Sequence, residues 1–164
     1  MTLRLILTRH AKSDWGTPGL DDHDRALKGR GRRAAAELGA WLAERGDPPA
    51  EVLCSTALRT RQTWEETGLE GTPRFVPALY HAAPEAMLAE LRGATAPVVM
   101  MLGHNPGIAA FAEGMVASPP DDPEFFAYPT CATLVAEFDA ATWAEVRPRT
   151  GRALGFFTPS ERGR

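Results

Sequence analysis

The segment LRLILTRH occupies residues 3–10 of this chain. Its first residues are almost all apolar, and the run ends in the polar cluster Thr8, Arg9 and His10. A short apolar run that stops at polar residues is typical of a buried β-strand, which we predict over residues 3–8. The chain therefore starts with a core strand whose carboxyl end carries two side chains capable of chemistry.

Strands and helices alternate through the rest of the chain. Residues 97–102, PVVMML, are apolar throughout, as in a central parallel strand. In residues 28–45, apolar and small side chains recur at intervals of three and four and stop before Gly46, which predicts a helix with one buried face. Further strands are predicted over residues 51–54, 74–76, 132–138, 143–146 and 152–157, and further helices over residues 84–91, from an N-cap at Ser55 or Thr56 to about Thr67, and from Pro106 after a cap at Asn105.

This alternation predicts an α/β fold, a three-layer α/β/α sandwich in which a mainly parallel central sheet carries helices on both faces. The length of 164 residues fits one domain, 1–164. With 44% apolar residues and no run near the roughly 18 that span a membrane, we expect a soluble, cytoplasmic protein. The net charge of −3 argues against a general nucleic-acid binder. Cys54 and Cys131 are expected to be reduced core residues.

Three predicted strand-to-helix junctions carry the unusual side chains. Arg9 and His10 follow the first strand, Arg59 follows the second, and His104 and Asn105 follow the central one. In parallel α/β sheets the carboxyl ends of the strands share one edge, where helix N-termini gather and ligands bind. We therefore expect two imidazoles and two guanidiniums to surround one point.

Such a cage suits a phosphoryl group. The planar fork of an arginine matches phosphate oxygens and keeps its charge at all relevant pH values. The neutral imidazole of His10 can attack phosphorus and hold the phosphoryl group covalently, and His104, if protonated, adds a donor. This charge balance needs no metal, and none of the four histidines pairs at zinc-ligand spacing with a third ligand nearby, so we expect no cofactor.

Three motifs at these junctions resemble those of the histidine phosphatase superfamily, which has the phosphoglycerate mutase-like fold. The segment LTRHAKSDW, residues 7–15, is similar to the Arg-His-Gly signature of that family, with Ala11 in place of the usual glycine. The matching positions of the second and third motifs are Ser55, Arg59, Gln62 and Thr63, then Gly103, His104 and Asn105. The spacing of Asp24, Arg25, Leu27 and Gly31, together with Gly-His-Asn-Pro, makes the SixA type, a phosphohistidine phosphatase, the nearest match.

The resemblance covers residues 3–115 and implies roles for individual side chains. His10 is the nucleophile it implies, and Arg9, Arg59 and His104 are the implied phosphate ligands. We add two predicted substrate-binding residues, Ser13 and Asn105, which stand beside these positions.

Mutase and phosphomonoesterase members of the family also use an acidic residue to protonate the leaving oxygen. The corresponding segment here, LYHAAPEAML, offers only His81 and Glu85 as candidates. Glu85 equally fits the first turn of a helix, and His81 equally fits an ordinary loop residue. Without an acid, substrates with labile phosphoryl bonds, such as the P–N bond of phosphohistidine, are favoured.

The sequence leaves several functions open. The first is a phosphatase that dephosphorylates phosphohistidine on a signalling or phosphotransfer protein. The second is a small-molecule phosphomonoesterase of the same chemistry, and the third is a non-catalytic phosphate-binding module. The expected partner is thus a phosphorylated protein or a small phosphorylated substrate, with neither nucleic acid nor membrane involved. A mutase is disfavoured because the chain is too short to build a closed substrate pocket.

Overall fold

The computed structural model describes residues 1–160, which form a six-stranded sheet with helices on both faces. The strands are β1 (Thr2–Arg9), β2 (Glu51–Ser55), β3 (Arg74–Val76), β4 (Val98–Gly103), β5 (Thr133–Asp139) and β6 (Arg152–Phe157). The helices are α1 (Gly29–Arg45), α2 (Leu58–Glu66), α3 (Pro84–Arg92) and α4 (Gly107–Met115). The three-layer α/β fold predicted from the sequence is confirmed. The domain predicted over residues 1–164 stays a prediction, and residues 161–164 lie outside the described part.

The strand order is β3-β2-β4-β1-β5-β6. The first four strands in this order run parallel, while β5 is antiparallel to both of its neighbours, β1 and β6. The sheet is therefore mainly parallel, with a single reversed strand. None of the helices within residues 1–160 combines the length and the apolar character that crossing a bilayer would require.

The alternation of side chains along β1 divides the core into two halves. Leu5 and Leu7 pack on one face with apolar residues of α3 and α4. Ile6 points to the opposite face and packs with residues of α1 and with Trp64 of α2. Because successive side chains of a strand point to opposite faces, an apolar run with no alternation is what a strand covered on both faces needs.

The register of the parallel strands brings the junctions together. Arg9 pairs with Gly103 across β1 and β4, and Cys54 pairs with Leu102 across β2 and β4. The residues that follow, His10, Ser55 and His104, therefore leave the sheet side by side. The His10 backbone N–H confirms this alignment by donating to the Gly103 carbonyl over 3.1 Å.

The structure corrects three local predictions. Residues 143–146 are not a strand, because Trp143–Glu145 forms a 3₁₀ turn that buries its indole. The N-cap of α2 is Ala57 rather than Ser55 or Thr56, and Ser55 instead accepts the Ala57 N–H on its hydroxyl. Helix α4 begins at Gly107, one residue later than predicted. The first helix does end at Gly46, which adopts the left-handed conformation that a C-cap glycine permits.

Gly39 lets α1 approach the end of α2 closely. A Cβ atom at Gly39 would lie 1.9 Å from the Thr67 carbonyl oxygen, so we expect Gly39→Ala to force the two helices apart. Overpacking of this kind costs about 1–3 kcal/mol. In α4 a Cβ at Gly114 would meet nothing within 4 Å, and Gly114→Ala should instead stabilise by up to about 1 kcal/mol through helix propensity. Urea denaturation of both variants checks this, and a Gly39→Ala protein as stable as the wild type would contradict it.

Candidate active site

A cleft of about 220 Å³ opens at the carboxyl edge of the parallel strands. It is lined by Arg9, His10, Ser13, Arg59, His104 and Asn105, all six of which were predicted from the sequence. Arg9 and His10 come from the end of β1, His104 from the end of β4, and Arg59 from the first turn of α2. The three junctions therefore meet as the strand topology requires.

His10 is held in one tautomer. Its Nδ1 lies 2.7 Å from the carbonyl oxygen of Ala11, which can only accept, so Nδ1 carries the proton and Nε2 keeps a lone pair. The side chain is 7% exposed, and burial, together with the nearby charges of Arg59, Arg9 and Arg25, lowers the pKa of His10 to about 3. His10 is thus unprotonated at neutral pH and has a free Nε2 lone pair, as the predicted nucleophile requires.

His104 stands next to it, with the two ring centroids 5.3 Å apart. Its Nε2 lies 2.8 Å from the Ser55 hydroxyl, which also accepts the Ala57 N–H. We assign the Ser55 hydroxyl as the donor to Nε2, which places the proton of His104 on Nδ1. Burial, the neighbouring His10 ring and the charge of Arg59 lower the pKa of His104 to about 2. The sequence left the protonation state of His104 open, and its burial indicates a neutral ring, which in the assigned tautomer carries its proton on Nδ1.

Both predicted phosphate arginines keep an unused donor. The Arg9 guanidinium donates one N–H to the Tyr128 carbonyl, and Arg59 donates two to the backbone carbonyl and carboxylate of Asp22. Within residues 1–160 the buried Nε atoms of Arg9 and Arg59 and the buried Nδ1 of His104 have no hydrogen-bond partner. Buried polar groups are nearly always paired, so three unpaired atoms on residues that line one cleft, two of them arginines, favour an anionic ligand there.

Asp22, which the sequence reasoning did not place in the site, organises this cleft. One carboxylate oxygen accepts from Arg59 at 3.0 Å and from the Tyr80 hydroxyl at 2.6 Å, and the other accepts from Arg25 at 3.0 Å. Burial raises the pKa of Asp22, but the hydrogen bonds from Tyr80, Arg25 and Arg59 outweigh it and hold that pKa well below its usual range. Asp22 is therefore an anion that aligns two arginines. Asp22 lies in a loop rich in Asp and Gly, which has no periodic pattern, so the sequence did not indicate this role.

Ser13 and Asn105, the two further substrate-binding candidates, both form hydrogen bonds within the protein. Ser13 accepts from Arg25 at 2.6 Å, so it fixes that guanidinium at the floor of the cleft. The Asn105 amide donates to the carbonyls of Ala127 and Tyr128 and accepts from a backbone N–H of α4. Asn105 thereby holds the Tyr128 carbonyl that also accepts from Arg9. Direct contact of either side chain with substrate stays a prediction.

The two acid candidates lie in different places. His81 lines the cleft, stacks on Tyr80 with ring centroids 4.0 Å apart, and places Nε2 3.3 Å from the Asp22 carboxylate. Glu85 is exposed on the first turn of α3 and lines a separate shallow groove beside Leu88. Glu85 is thus outside the cleft that holds His10.

The remaining motif residues hold the loops around His10. Thr63 accepts the N–H of Ala11 at 2.9 Å, and Gln62 accepts the N–H of Leu27 at 2.8 Å. Gly31 lets α1 touch the backbone after the nucleophile, since a Cβ there would lie 2.2 Å from the Lys12 carbonyl oxygen. Residues 1–160 contain no group of three His, Cys, Asp or Glu side chains arranged to hold a metal ion.

Comparison with known proteins gives consistent matches over nearly the whole chain. A family model described as the histidine phosphatase superfamily, branch 1, matches residues 5–80. An uncharacterised protein of Mycobacterium tuberculosis is 36% identical over 160 residues, which cover 92% of this chain and 99% of the relative.

Two solved structures share the fold at 29% identity. One is assigned as the phosphohistidine phosphatase SixA of Nakamurella multipartitia, with a TM-score of 0.86 and 97% of each chain covered. The other is assigned as SixA of Agrobacterium tumefaciens, with a TM-score of 0.78, covering 96% of this chain and 99% of that one. The similarity thus extends beyond residues 3–115, which carry the sequence motifs, to the last strands of the sheet.

We expect His10 and His104 to remain neutral from alkaline pH down to roughly pH 5, because the folded pKa values lie far below the ordinary histidine value of about 6.5. Long-range ¹H–¹⁵N spectra should show a protonated Nδ1 and an unprotonated Nε2 in both rings. Loss of one signal set in His10→Ala assigns the resonances. Titration of either ring near pH 6.5, or a proton on Nε2 of His10, would contradict the assignment.

Proposed function

Since this chain belongs to the histidine phosphatase superfamily and is of its SixA type, we propose that it removes the phosphoryl group from phosphohistidine on a protein, through a covalent intermediate at His10. Phosphatase activity itself follows from the family. The specificity for phosphohistidine and the role of His10 are what we propose. The observation that carries the proposal is the fixed tautomer of His10 in a cationic cleft whose only carboxylate, among residues 1–160, is the ionised Asp22.

The first step forms one P–N bond and breaks another. The Nε2 lone pair of His10 attacks phosphorus while Arg9, Arg59 and His104, which line the cleft, donate to the phosphoryl oxygens. Donors already aimed at the developing charge cost no reorganisation during the reaction, and this preorganisation is a major source of catalysis. The electron pair of the breaking bond goes to the leaving nitrogen.

A phosphohistidine leaving group needs little help from the enzyme. Its ring can carry a proton on the nitrogen remote from phosphorus, so it departs as neutral imidazole. An alkoxide from an ester must instead be protonated as it leaves, and general-acid assistance is worth about 10²- to 10⁴-fold. In this cleft the only carboxylate among the described residues is Asp22, which is ionised, and His81 points its Nε2 at that same carboxylate.

The second step returns His10 to its starting state. Water attacks the phosphorus, the P–N electron pair goes back to Nε2, and inorganic phosphate leaves with the oxygen and protons of the water. The Nδ1 proton stays on the ring throughout, donating to the Ala11 carbonyl, so His10 needs no proton transfer of its own in either step. Splitting one displacement into two by a covalent intermediate is the usual gain from a nucleophilic side chain.

We expect brief reaction with ³²P-labelled phosphoramidate, followed by alkaline quench, to leave acid-labile, base-stable label on His10. His10→Ala should carry no label, because no other side chain in the cleft has this geometry. The matched control is His23→Ala, since His23 is half-buried outside the cleft and bonds to Thr56. Label on serine or cysteine, or labelling retained in His10→Ala, would remove the mechanism.

We further expect kcat/KM to be about 10²-fold higher or more for a phosphohistidine peptide than for a phosphoserine peptide of the same sequence, because only the ester depends on an acid. The kcat/KM for phosphoramidate should be closer to that for the phosphohistidine peptide than to that for the phosphoserine peptide. A preference for the phosphoserine peptide or for small phosphate esters would favour the phosphomonoesterase alternative. Binding of all three without turnover would favour the non-catalytic phosphate-binding module.

A further inference from the structure

Trp15, a large aromatic side chain at the mouth of the cleft, has no role in the proposed chemistry. Trp15 lines the cleft and is 73% exposed, whereas Trp64 and Trp143 are buried and Trp41 is half-buried. Leaving an indole in water forgoes the large gain from burying it. An exposed tryptophan beside a ligand cleft therefore calls for a functional reason.

Trp15 is also held in place from one side. The guanidinium carbon of Arg25 lies 3.4 Å from the centre of the Trp15 ring, the distance of a stacked cation–π pair. Arg25 itself is only 7% exposed and is fixed by Asp22 and Ser13. One face of the indole thus rests on a rigid buried cation, and the exposed surface belongs to the other face and the ring edges.

We propose that the open face of Trp15 is the platform on which the planar ring of the substrate stacks while its phosphoryl group is held at His10. This inference rests on the proposed function and deepens it, because it names the substrate class as phosphoryl compounds whose phosphorus is bonded to an aromatic ring or to an atom next to one.

The dimensions of the cleft agree with this class. Its volume of about 220 Å³ is below the roughly 300–1,000 Å³ of pockets that enclose drug-sized ligands. The space suits a phosphoryl group with a single ring at the opening, and the rest of a larger substrate would remain outside. Stacking between a ring and an aromatic side chain typically changes affinity by about tenfold.

A purely structural role for Trp15 makes a different prediction. If the indole served only to hold Arg25, its removal would weaken binding of every phosphoryl ligand to the same extent, because Arg25 lines the cleft whatever the ligand carries. A stacking platform discriminates between ligands with and without a ring. The ratio of two affinities therefore separates the two roles.

The test is a calorimetric comparison of phenylphosphonate with methylphosphonate, at a pH at which both are dianions. Their P–C bonds are not hydrolysed, so the result does not depend on turnover. We expect the wild type to bind phenylphosphonate about tenfold more tightly, Trp15→Ala to lose most of that preference, and Trp15→Phe to keep most of it. The matched control is Phe75→Ala, since Phe75 is also exposed, at 46%, and also has an arginine, Arg61, 5.9 Å above its ring. Its ratio should equal that of the wild type.

An unchanged ratio in Trp15→Ala, an equal loss for both phosphonates, or no preference in the wild type would overturn the platform. A ratio that behaves as expected in a protein with no turnover of phosphoramidate would instead overturn the proposed function alone. Phosphohistidine and a free aryl phosphate both present a ring. If Trp15→Ala lowers kcat/KM for phenyl phosphate but leaves kcat/KM for a phosphohistidine peptide at its wild-type value, the ring belongs to a small aryl ester and not to histidine.

Discussion

The parallel pairing of β1 with β4 is the constraint on which the rest of this molecule depends. It places Arg9 opposite Gly103 and so sets His10 beside His104, while Leu5 and Leu7 face one half of the core. A shift of one residue would turn every side chain of β1 to the other face of the sheet. The same shift would withdraw His10 from the cleft. Stability and chemistry therefore select the same register, since the apolar core cannot form without also assembling the site.

The cleft built on this register carries more positive charge than its surroundings neutralise. Arg9, Arg25 and Arg59 converge there, and burial lowers the pKa of Arg9, with the charge of Arg59 adding to the effect. Removing charges from water is expensive unless partners replace the solvent. Asp22 replaces part of it, while the unpaired Nε atoms of Arg9 and Arg59 stay uncompensated. In the proposed function, the phosphoryl dianion of the substrate offsets this positive charge, which favours binding of the transferring group.

Much of the fold and of the cleft around His10 could be predicted from the sequence, because both depend on local patterns. Alternating strands and helices predicted the three layers, and residues at three strand ends predicted the cleft. The contact between Asp22 and Tyr80 was not predicted, because it forms when two loops come together and no periodic pattern in the sequence indicates it. Residues around Trp143 look like a strand since they are apolar, but one buried indole, bonded to the Ala96 carbonyl, explains that composition. The protonation state of His104 needed its actual burial and its bond to Ser55, neither of which a sequence pattern specifies.

The chemistry of the proposed substrate explains why so sparse a site is sufficient. When phosphohistidine transfers its phosphoryl group to His10, the bond formed and the bond broken are both P–N bonds to imidazole, so the first step is close to balanced in energy. The burden on the protein is then to align the nucleophile and to hold three oxygens, which the Ala11 carbonyl and the donors of Arg9, Arg59 and His104 can do. An ester would add the expulsion of a strongly basic oxygen, and a cleft whose one carboxylate, Asp22, is kept ionised by its arginines has no acid ready for it. If the proposed function holds, the ion pairs that align Arg59 also restrict the substrates that this site can use.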